Sequence, residues 1–224
     1  MIRALCFDLD GTLAAYAGNF RSFLALLRHE LLLHGCDLDR FAEVVTEELS
    51  RDGPLTLESA LRRSLARLEE RAPGDLQEMT RTALRAYAED VRPAPGAGAL
   101  LARLQRRGVP MALVSNGPVD MQRAALAGLG FEGFFRSVLV SGDPDVGARK
   151  PAARIFSLAC TGLEALPSET LMVGDSASAD VEGALAYGMQ AVLMGPAEEG
   201  ARLGVPAAAG PEALDALLGE RFGL

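Results

Sequence analysis

Two aspartates one residue apart stand in Phe7-Asp8-Leu9-Asp10-Gly11-Thr12-Leu13, where the apolar segment Ile2 to Phe7 runs into a glycine-containing turn. In an extended segment alternate side chains share a face, so Asp8 and Asp10 start on one side, with the turn bending Asp10 away. Like charges ~4 Å apart in an effective dielectric of about 20 repel by about 4 kcal/mol, so a cation or a shared proton is expected between them. The pair reads as a metal site; the plainer alternative is a strand end followed by an Asp-Gly turn. Three further groups invite a similar reading. The apolar run Val109 to Val114 ends in Ser115-Asn116-Gly117, and Leu171 to Val173 runs into Gly174-Asp175 with Asp180 shortly beyond. Lys150, followed by Pro151, opens a helical segment after a long loop, and it is the only lysine in a chain with 22 basic residues. Singly, Ser115-Asn116-Gly117 is also a helix cap and turn, Asp175 and Asp180 a turn residue and a cap, and Lys150 a solvated charge. Together they would require three separate loops to imitate one site by accident.

The elements that must position these groups form a repeating pattern. Short, nearly all-apolar segments, Ile2 to Phe7, Val109 to Val114, Ser137 to Val140, Leu171 to Val173 and Ala191 to Met194, alternate with helical ones. The helices are read at Leu100, Leu101 and Leu104 (stopped by Gly108), Met121 to Leu129, Ala153 to Ala159, Ala179 to Tyr187 and Pro211 to Leu218. Such alternation indicates a parallel sheet covered on both faces, with ligands bound beyond the carboxyl ends of its strands. Of the exits, those after Val140 and Met194 offer no group for a metal or a phosphate. The Ala/Gly/Pro-rich stretch from Gly195 to Gly210 reads as a long surface connection. Residues 16–92 differ: Phe20, Phe23, Leu24, Leu27 and Leu31, then Leu57, Leu61, Leu65 and Leu68, recur at helical spacing. Turn signals at Gly35-Cys36-Asp37, Asp52-Gly53-Pro54 and Ala72-Pro73-Gly74-Asp75 divide this block into about four helices. The expected architecture is α/β: a doubly wound, Rossmann-like parallel sheet core of residues 1–15 and 93–224, interrupted by a four-helix insert over residues 16–92.

Composition narrows the function classes. A chain of 224 residues with 49% hydrophobic content supplies a core, and a formal net charge of -8 opposes binding to nucleic acid or to an anionic membrane surface. An anionic substrate would therefore need a local cation. Cys6, Cys36 and Cys160 are scattered and lack a C-x-x-C pair, so neither disulfides nor zinc is expected, and Cys6 and Cys160 read as buried small hydrophobes. His29 and His34 are off the i, i+4 spacing that would present both to one metal and read as surface or cap residues. No leader-like pattern opens the chain and no run approaches a membrane span, so a cytoplasmic protein is expected.

The residues at the strand ends resemble the motifs of the haloacid dehalogenase-like hydrolase superfamily, over nearly the whole chain. Its D-x-D-G-T-[LV] motif is similar to Asp8 through Leu13, its Ser or Thr after an apolar strand to Ser115, its Lys-Pro to Lys150-Pro151, and its G-D-x(3-4)-D to Gly174 through Asp180. The helical insert resembles the family's C1-type cap. The resemblance implies a magnesium-dependent phosphatase acting on small phosphorylated metabolites through an aspartyl-phosphate on Asp8. Asp10 would be the acid and then the base, and Asp8, the Asp10 backbone carbonyl and Asp175 would hold Mg2+. Ser115, with the backbone at Asn116, would orient phosphate oxygens and Lys150 would offset charge, while Gly174 and Asp180 support the site. Hard oxygen ligands without His or Cys favour magnesium over zinc. A monomer or a homodimer is expected.

Within the superfamily, a metal-independent 2-haloacid dehalogenase typically lacks a carboxylate at the position of Asp10. A phosphonatase would need a cap lysine, and residues 16–92 contain none. A sugar phosphomutase would need a cap group for a second phosphate, for which Arg21 and Arg28 are candidates. A non-catalytic binding or regulatory module is the alternative of another class, and the complete motifs count against it.

Overall fold

Among the described residues six parallel strands, in the spatial order Ser137–Val140, Met111–Ser115, Ala4–Phe7, Thr170–Gly174, Gln190–Met194 and Ala207–Ala208, form one sheet, and the first five are the segments that the apolar alternation predicts. The structure, a computed structural model, describes residues 1–17, 20–31, 33 and 35–224; His34 lies outside the described residues. In chain order the elements begin with β1 (Ala4–Phe7), β2 (Ala14–Tyr16), α1 (Phe20–Glu30), α2 (Leu38–Leu49), α3 (Leu57–Arg67), α4 (Leu76–Asp90) and β3 (Val91–Pro93). They continue with α5 (Ala97–Arg106), β4 (Met111–Ser115), α6 (Val119–Leu129), β5 (Ser137–Val140), α7 (Ala153–Leu163) and β6 (Thr170–Gly174). The chain closes with α8 (Gly183–Tyr187), β7 (Gln190–Met194), α9 (Ala197–Leu203), β8 (Ala207–Ala208) and α10 (Pro211–Leu217).

β1 sits between β4 and β6, and every residue of the three strands is buried, which is why they read as continuous apolar runs rather than as an alternation. Leu5, Phe7, Leu113 and Val173 pack on one face with Leu100, Leu101 and Leu104 of α5 and Leu214 of α10. Cys6, Ala112, Val114 and Met172 pack on the other with Ile155, Phe156 and Ala159 of α7. Cys6 and Cys160 are buried free thiols, as expected. Register places the carboxyl ends of the three central strands level: Phe7 pairs with Leu113 and with Val173. Whatever follows Phe7, Val114 and Val173 therefore emerges on one edge of the sheet.

Among the described residues the helical block has four helices, separated at the three turn signals read from the sequence. Asp37 caps α2 by accepting from the N–H groups of Asp39 and Arg40, and Thr56 and Ser59 form a capping box at the start of α3. α2 and α3 are joined by Glu48, whose side chain is 1% exposed and takes Arg63 Nε at 2.7 Å and Arg67 Nη1 at 3.0 Å. The block meets the sheet edge at its own connections. Leu55 donates its N–H to the Gly142 carbonyl at 2.9 Å and accepts from the Val119 N–H at 2.9 Å, while the Leu57 N–H donates to Asp120 at 2.9 Å. The segments entering and leaving the block also pair: β2 and β3 form an antiparallel ribbon, with Tyr16 stacked on Tyr87 at 5.4 Å between ring centres. Three-residue strands carry no period of their own, so this ribbon leaves no signal in the sequence.

Two expectations are corrected. The stretch Gly195 to Gly210 is not a surface connection throughout: it contains α9 and β8, the latter paired with β7. Its Ala, Gly and Pro composition lacks the large apolar residues by which an element announces itself. The segment Ala179 to Tyr187 is not one α-helix: it opens as a wider, π-type turn over Ala177–Glu182 before α8 begins. Such turns leave the regular ladder and re-aim side chains, here that of Asp180.

Candidate active site

Asp8 follows β1 directly and its N–H donates to the Val173 carbonyl at 2.9 Å, so the central ladder fixes its backbone. Asp8 is 7% exposed, and its carboxylate Oδ1 accepts from Lys150 Nζ at 2.5 Å. The same ammonium donates to the Val114 carbonyl at 2.7 Å and lies 2.7 Å from Asp180 Oδ1. Residues from the ends of three strands and one loop thus meet at a single cation. The loop carrying Lys150 is held by Asn116, whose amide donates to the Lys150 carbonyl at 3.0 Å and accepts from the Lys150 N–H at 2.8 Å. The Asn116 side chain therefore positions Lys150, a role that its place in a Ser-Asn-Gly turn does not reveal.

Two glycines admit the acidic groups. Gly11 has φ +77°, and a Cβ there would lie 2.1 Å from Asp175 Oδ2, so any larger residue would collide with the carboxylate that the turn receives. A Cβ on Gly174 would lie 2.2 Å from Asp180 Oδ2, which accepts the Ser176 N–H at 3.0 Å. Carboxylate oxygens of Asp8, Asp175 and Asp180 lie within 4.8 Å of one another.

Asp10 joins the site through a residue that sequence reasoning missed. Gln122, on α6 and 4% exposed, donates from Nε2 to Asp10 Oδ2 at 2.9 Å and accepts at Oε1 from Ser115 Oγ at 2.8 Å. One buried amide thereby fixes both the acidic group after β1 and the hydroxyl at the end of β4. Its signal in the sequence is a glutamine on the buried stripe of Met121, Ala125 and Leu126. Ser141 was missed too: just past β5, its hydroxyl accepts the Gly117 N–H at 2.9 Å and so shapes the turn after Ser115.

The balance of charge explains the titration of these groups. Burial raises Asp8 to about 7 against the lowering charge of Lys150, with Asp180 and Asp10 adding to the rise. Burial alone would lower Lys150, but the charges of Asp8 and Asp180 and their hydrogen bonds outweigh it and hold the ammonium above the ordinary lysine range. Asp10 and Asp175 are also raised, foremost by burial. The ammonium keeps its proton and still leaves the carboxylates under-compensated. An all-oxygen cluster with excess negative charge fits a hard divalent cation.

All of Asp8, Asp10, Ser115, Asn116, Lys150, Asp175 and Asp180 line one cleft of about 340 Å³ at the strand ends. A second cavity of about 330 Å³ adjoins it under the helical block and shares Asp10, Asn116 and Arg149 with it. The two arginines considered for a second phosphate are engaged elsewhere: Arg21 pairs with Asp39, and Arg28 donates to the carbonyls of Leu33 and Cys36. His29 is exposed near the end of α1. Among the described residues no helix is long and apolar enough to cross a membrane.

Known proteins resemble the chain over most of its length. The chain is 34% identical over 210 residues to the ribulose-1,5-bisphosphate 5-phosphatase of Halopiger xanaduensis, covering 89% of this chain and 87% of that one. It is 34% identical over 199 residues to the phosphoglycolate phosphatase of Pectobacterium atrosepticum, covering 86% and 80%. The solved HAD phosphatase from Thermococcus onnurineus has a TM-score of 0.63 at 26% identity, with 86% of each chain covered. The 2-haloacid dehalogenase from Pseudomonas syringae has a TM-score of 0.72 at 21% identity, covering 97% and 98%, a likeness of fold alone. The family model described as haloacid dehalogenase-like hydrolase matches residues 2–188, and with this sheet and these strand-end residues the chain belongs to that family of hydrolases.

Proposed function

We propose that the protein is a magnesium-dependent phosphatase of small phosphate monoesters, working through a phosphoryl group carried by Asp8. The observation that supports it most is the meeting of the Asp8, Asp175 and Asp180 oxygens within 4.8 Å of one another, with Lys150 Nζ 2.5 Å from Asp8. Asp8 and Asp175, with the main-chain carbonyl of Asp10, would hold Mg2+. When bound it lets anionic nucleophile and anionic substrate approach and neutralises charge on the transferring group. Asp180 is the supporter rather than a ligand in this reading, because its oxygens already serve Lys150 and the Ser176 N–H.

Lys150 occupies Oδ1 of Asp8, and Oδ2 carries no hydrogen bond among the described residues. Asp8 attacks phosphorus, the bond to the ester oxygen breaks, and that oxygen takes a proton from Asp10. Burial raises Asp10 against the lowering hydrogen bond from Gln122, the direction that favours its protonated form. Asp10 then removes a proton from the water that attacks the phosphorus carried by Asp8, so the Asp8–phosphorus bond breaks and inorganic phosphate leaves. The Ser115 hydroxyl and Lys150 orient the phosphate oxygens and offset their charge.

The chain divides in this account into a catalytic core, residues 1–15 and 93–224, and a cap, residues 16–92, whose underside forms the cavity for the leaving group. Phosphate release from a panel of small esters with magnesium, compared with Asp8→Asn, tests the reading. Magnesium-dependent release that the substitution abolishes is the expected result. Equal rates in both proteins, or no ester hydrolysed, would overturn it, and chloride release from 2-haloacids without metal would replace it.

A further inference from the structure

The cavity under the helical block has apolar and aromatic walls, including Tyr16, Phe20, Leu49 and Met121, and one basic side chain, Arg149, at its junction with the strand-end cleft. Arg149 is half-buried, and its Nη1 is buried with no hydrogen-bond partner. No ion pair or side-chain hydrogen bond ends on it among the described residues; the carboxylate of Asp52 acts on it only across a gap. Its neighbour Lys150 is in the opposite situation, with its ammonium held by Asp8, Asp180 and the Val114 carbonyl. A guanidinium presents five donors in a planar fork suited to carboxylate or phosphate, and leaving one nitrogen buried and unpaired is unfavourable until an acceptor arrives. The phosphoryl group being transferred is served from below by Ser115 and Lys150. Arg149 lines both that cleft and the cavity adjoining it, so a group carried on the departing part of the ester would lie against it.

We propose that Arg149 sets substrate choice by binding an oxyanion, a carboxylate or a second phosphate, carried on the leaving group of the phosphate ester. The inference rests on the phosphatase reading and names its substrate class: short, anionic phosphate monoesters. Neutral sugar or alcohol phosphates of similar length leave the guanidinium unpaired and are poorer substrates.

The test compares kcat/KM for matched esters. Phosphoglycolate is set against 2-hydroxyethyl phosphate for the carboxylate arm, and propane-1,3-diol bisphosphate against its monophosphate for the phosphate arm. 2-Aminoethyl phosphate is the cationic probe. The wild type is expected to prefer the anionic member of at least one pair by about tenfold to a hundredfold, the arm showing it naming the group. Arg149→Gln is expected to lower that preference by about tenfold or more, chiefly through KM. Arg149→Lys keeps part of it, and Arg149→Glu shifts relative use toward 2-aminoethyl phosphate. These are ratios within one protein, so a loss of general activity or of folded fraction does not imitate them. A wild type without preference in either arm, or a ratio that Arg149→Gln leaves within about twofold, overturns the inference while Asp8-dependent hydrolysis keeps the phosphatase reading. If no ester is hydrolysed, calorimetric binding of the same esters with magnesium makes the same comparison. Selective weakening of the anionic member in Arg149→Gln then upholds the subsite although the phosphatase reading has failed, and equal binding overturns both.

Discussion

Replacing Gln122 by leucine keeps the approximate shape of the side chain and removes both of its hydrogen bonds. Asp10 loses the donor 2.9 Å from Oδ2 and Ser115 loses the acceptor 2.8 Å from its hydroxyl. A neutral hydrogen bond contributes about 1 kcal/mol and one to a charged group about 1.5–3 kcal/mol, so about 1.5–3 kcal/mol of positioning is at stake at Asp10. That corresponds to roughly 10- to 150-fold in rate if it is all expressed as the ester bond breaks. The assay is kcat/KM for two esters, an alkyl phosphate whose departing oxygen needs a proton, which Asp10 would supply in the proposed mechanism, and p-nitrophenyl phosphate whose departing oxygen needs it far less. The account predicts a loss in that range for the alkyl ester and a much smaller one for the nitrophenyl ester, with the melting temperature reported alongside. Equal losses for both esters would make Gln122 a packing residue only, and no loss for either would show that Asp10 needs no positioning from α6.

Gly11→Ala should shift magnesium dependence, because a Cβ 2.1 Å from Asp175 Oδ2 forces that carboxylate aside, while φ +77° adds a separate cost to folding that the melting temperature reads. The midpoint of a magnesium titration of activity is expected to rise about tenfold or more, and an unchanged midpoint would detach Asp175 from the metal. Glu48→Gln tests the helical block. Burial pushes Glu48 up, but hydrogen bonds from Arg63 and Arg67 and the charge of Arg51 outweigh it and hold the carboxyl below its ordinary value. Stability from a lowered carboxyl is complete above the unfolded-chain value and is lost as pH falls through the folded one. Since the arginines are about half-exposed, the variant should lose only about 1–3 kcal/mol in urea unfolding at neutral pH, and the difference should vanish in acid. A difference that is constant with pH would assign the effect to packing.

Much of this arrangement was legible in the sequence where local pattern and chemistry coincide. The central strands are continuous apolar runs because α5 and α7 cover both faces, and Asp8, Ser115 and Asp175 are legible because each ends such a run at the edge where a parallel sheet binds ligands. The turns before α2, α3 and α4 carry Gly, Pro and Asp signals that local conformation alone demands. What escaped depends on pairing across the chain. β2 and β3 are three residues each and meet only through the long excursion between them. Gln122 looks like one polar residue on a helix until the register of α6 over Asp10 is known. Asn116 reads as a turn former, and only the loop of Lys150 folded back on it reveals the pair of main-chain bonds it makes. Arg21 and Arg28 were natural candidates for an anion because they lie in the insert, yet the arginine in the cavity comes from the loop of the core.

The central claim is that Asp8 carries the phosphoryl group, and acid-quenched single turnovers followed by peptide mass spectrometry test it most directly. With an ester substrate and magnesium, the peptide containing Asp8 is predicted to appear transiently heavier by one phosphoryl group, at a rate no slower than phosphate release and not in Asp8→Asn. A phosphoryl group found on another residue, or steady hydrolysis in Asp8→Asn at the wild-type rate, would contradict the account.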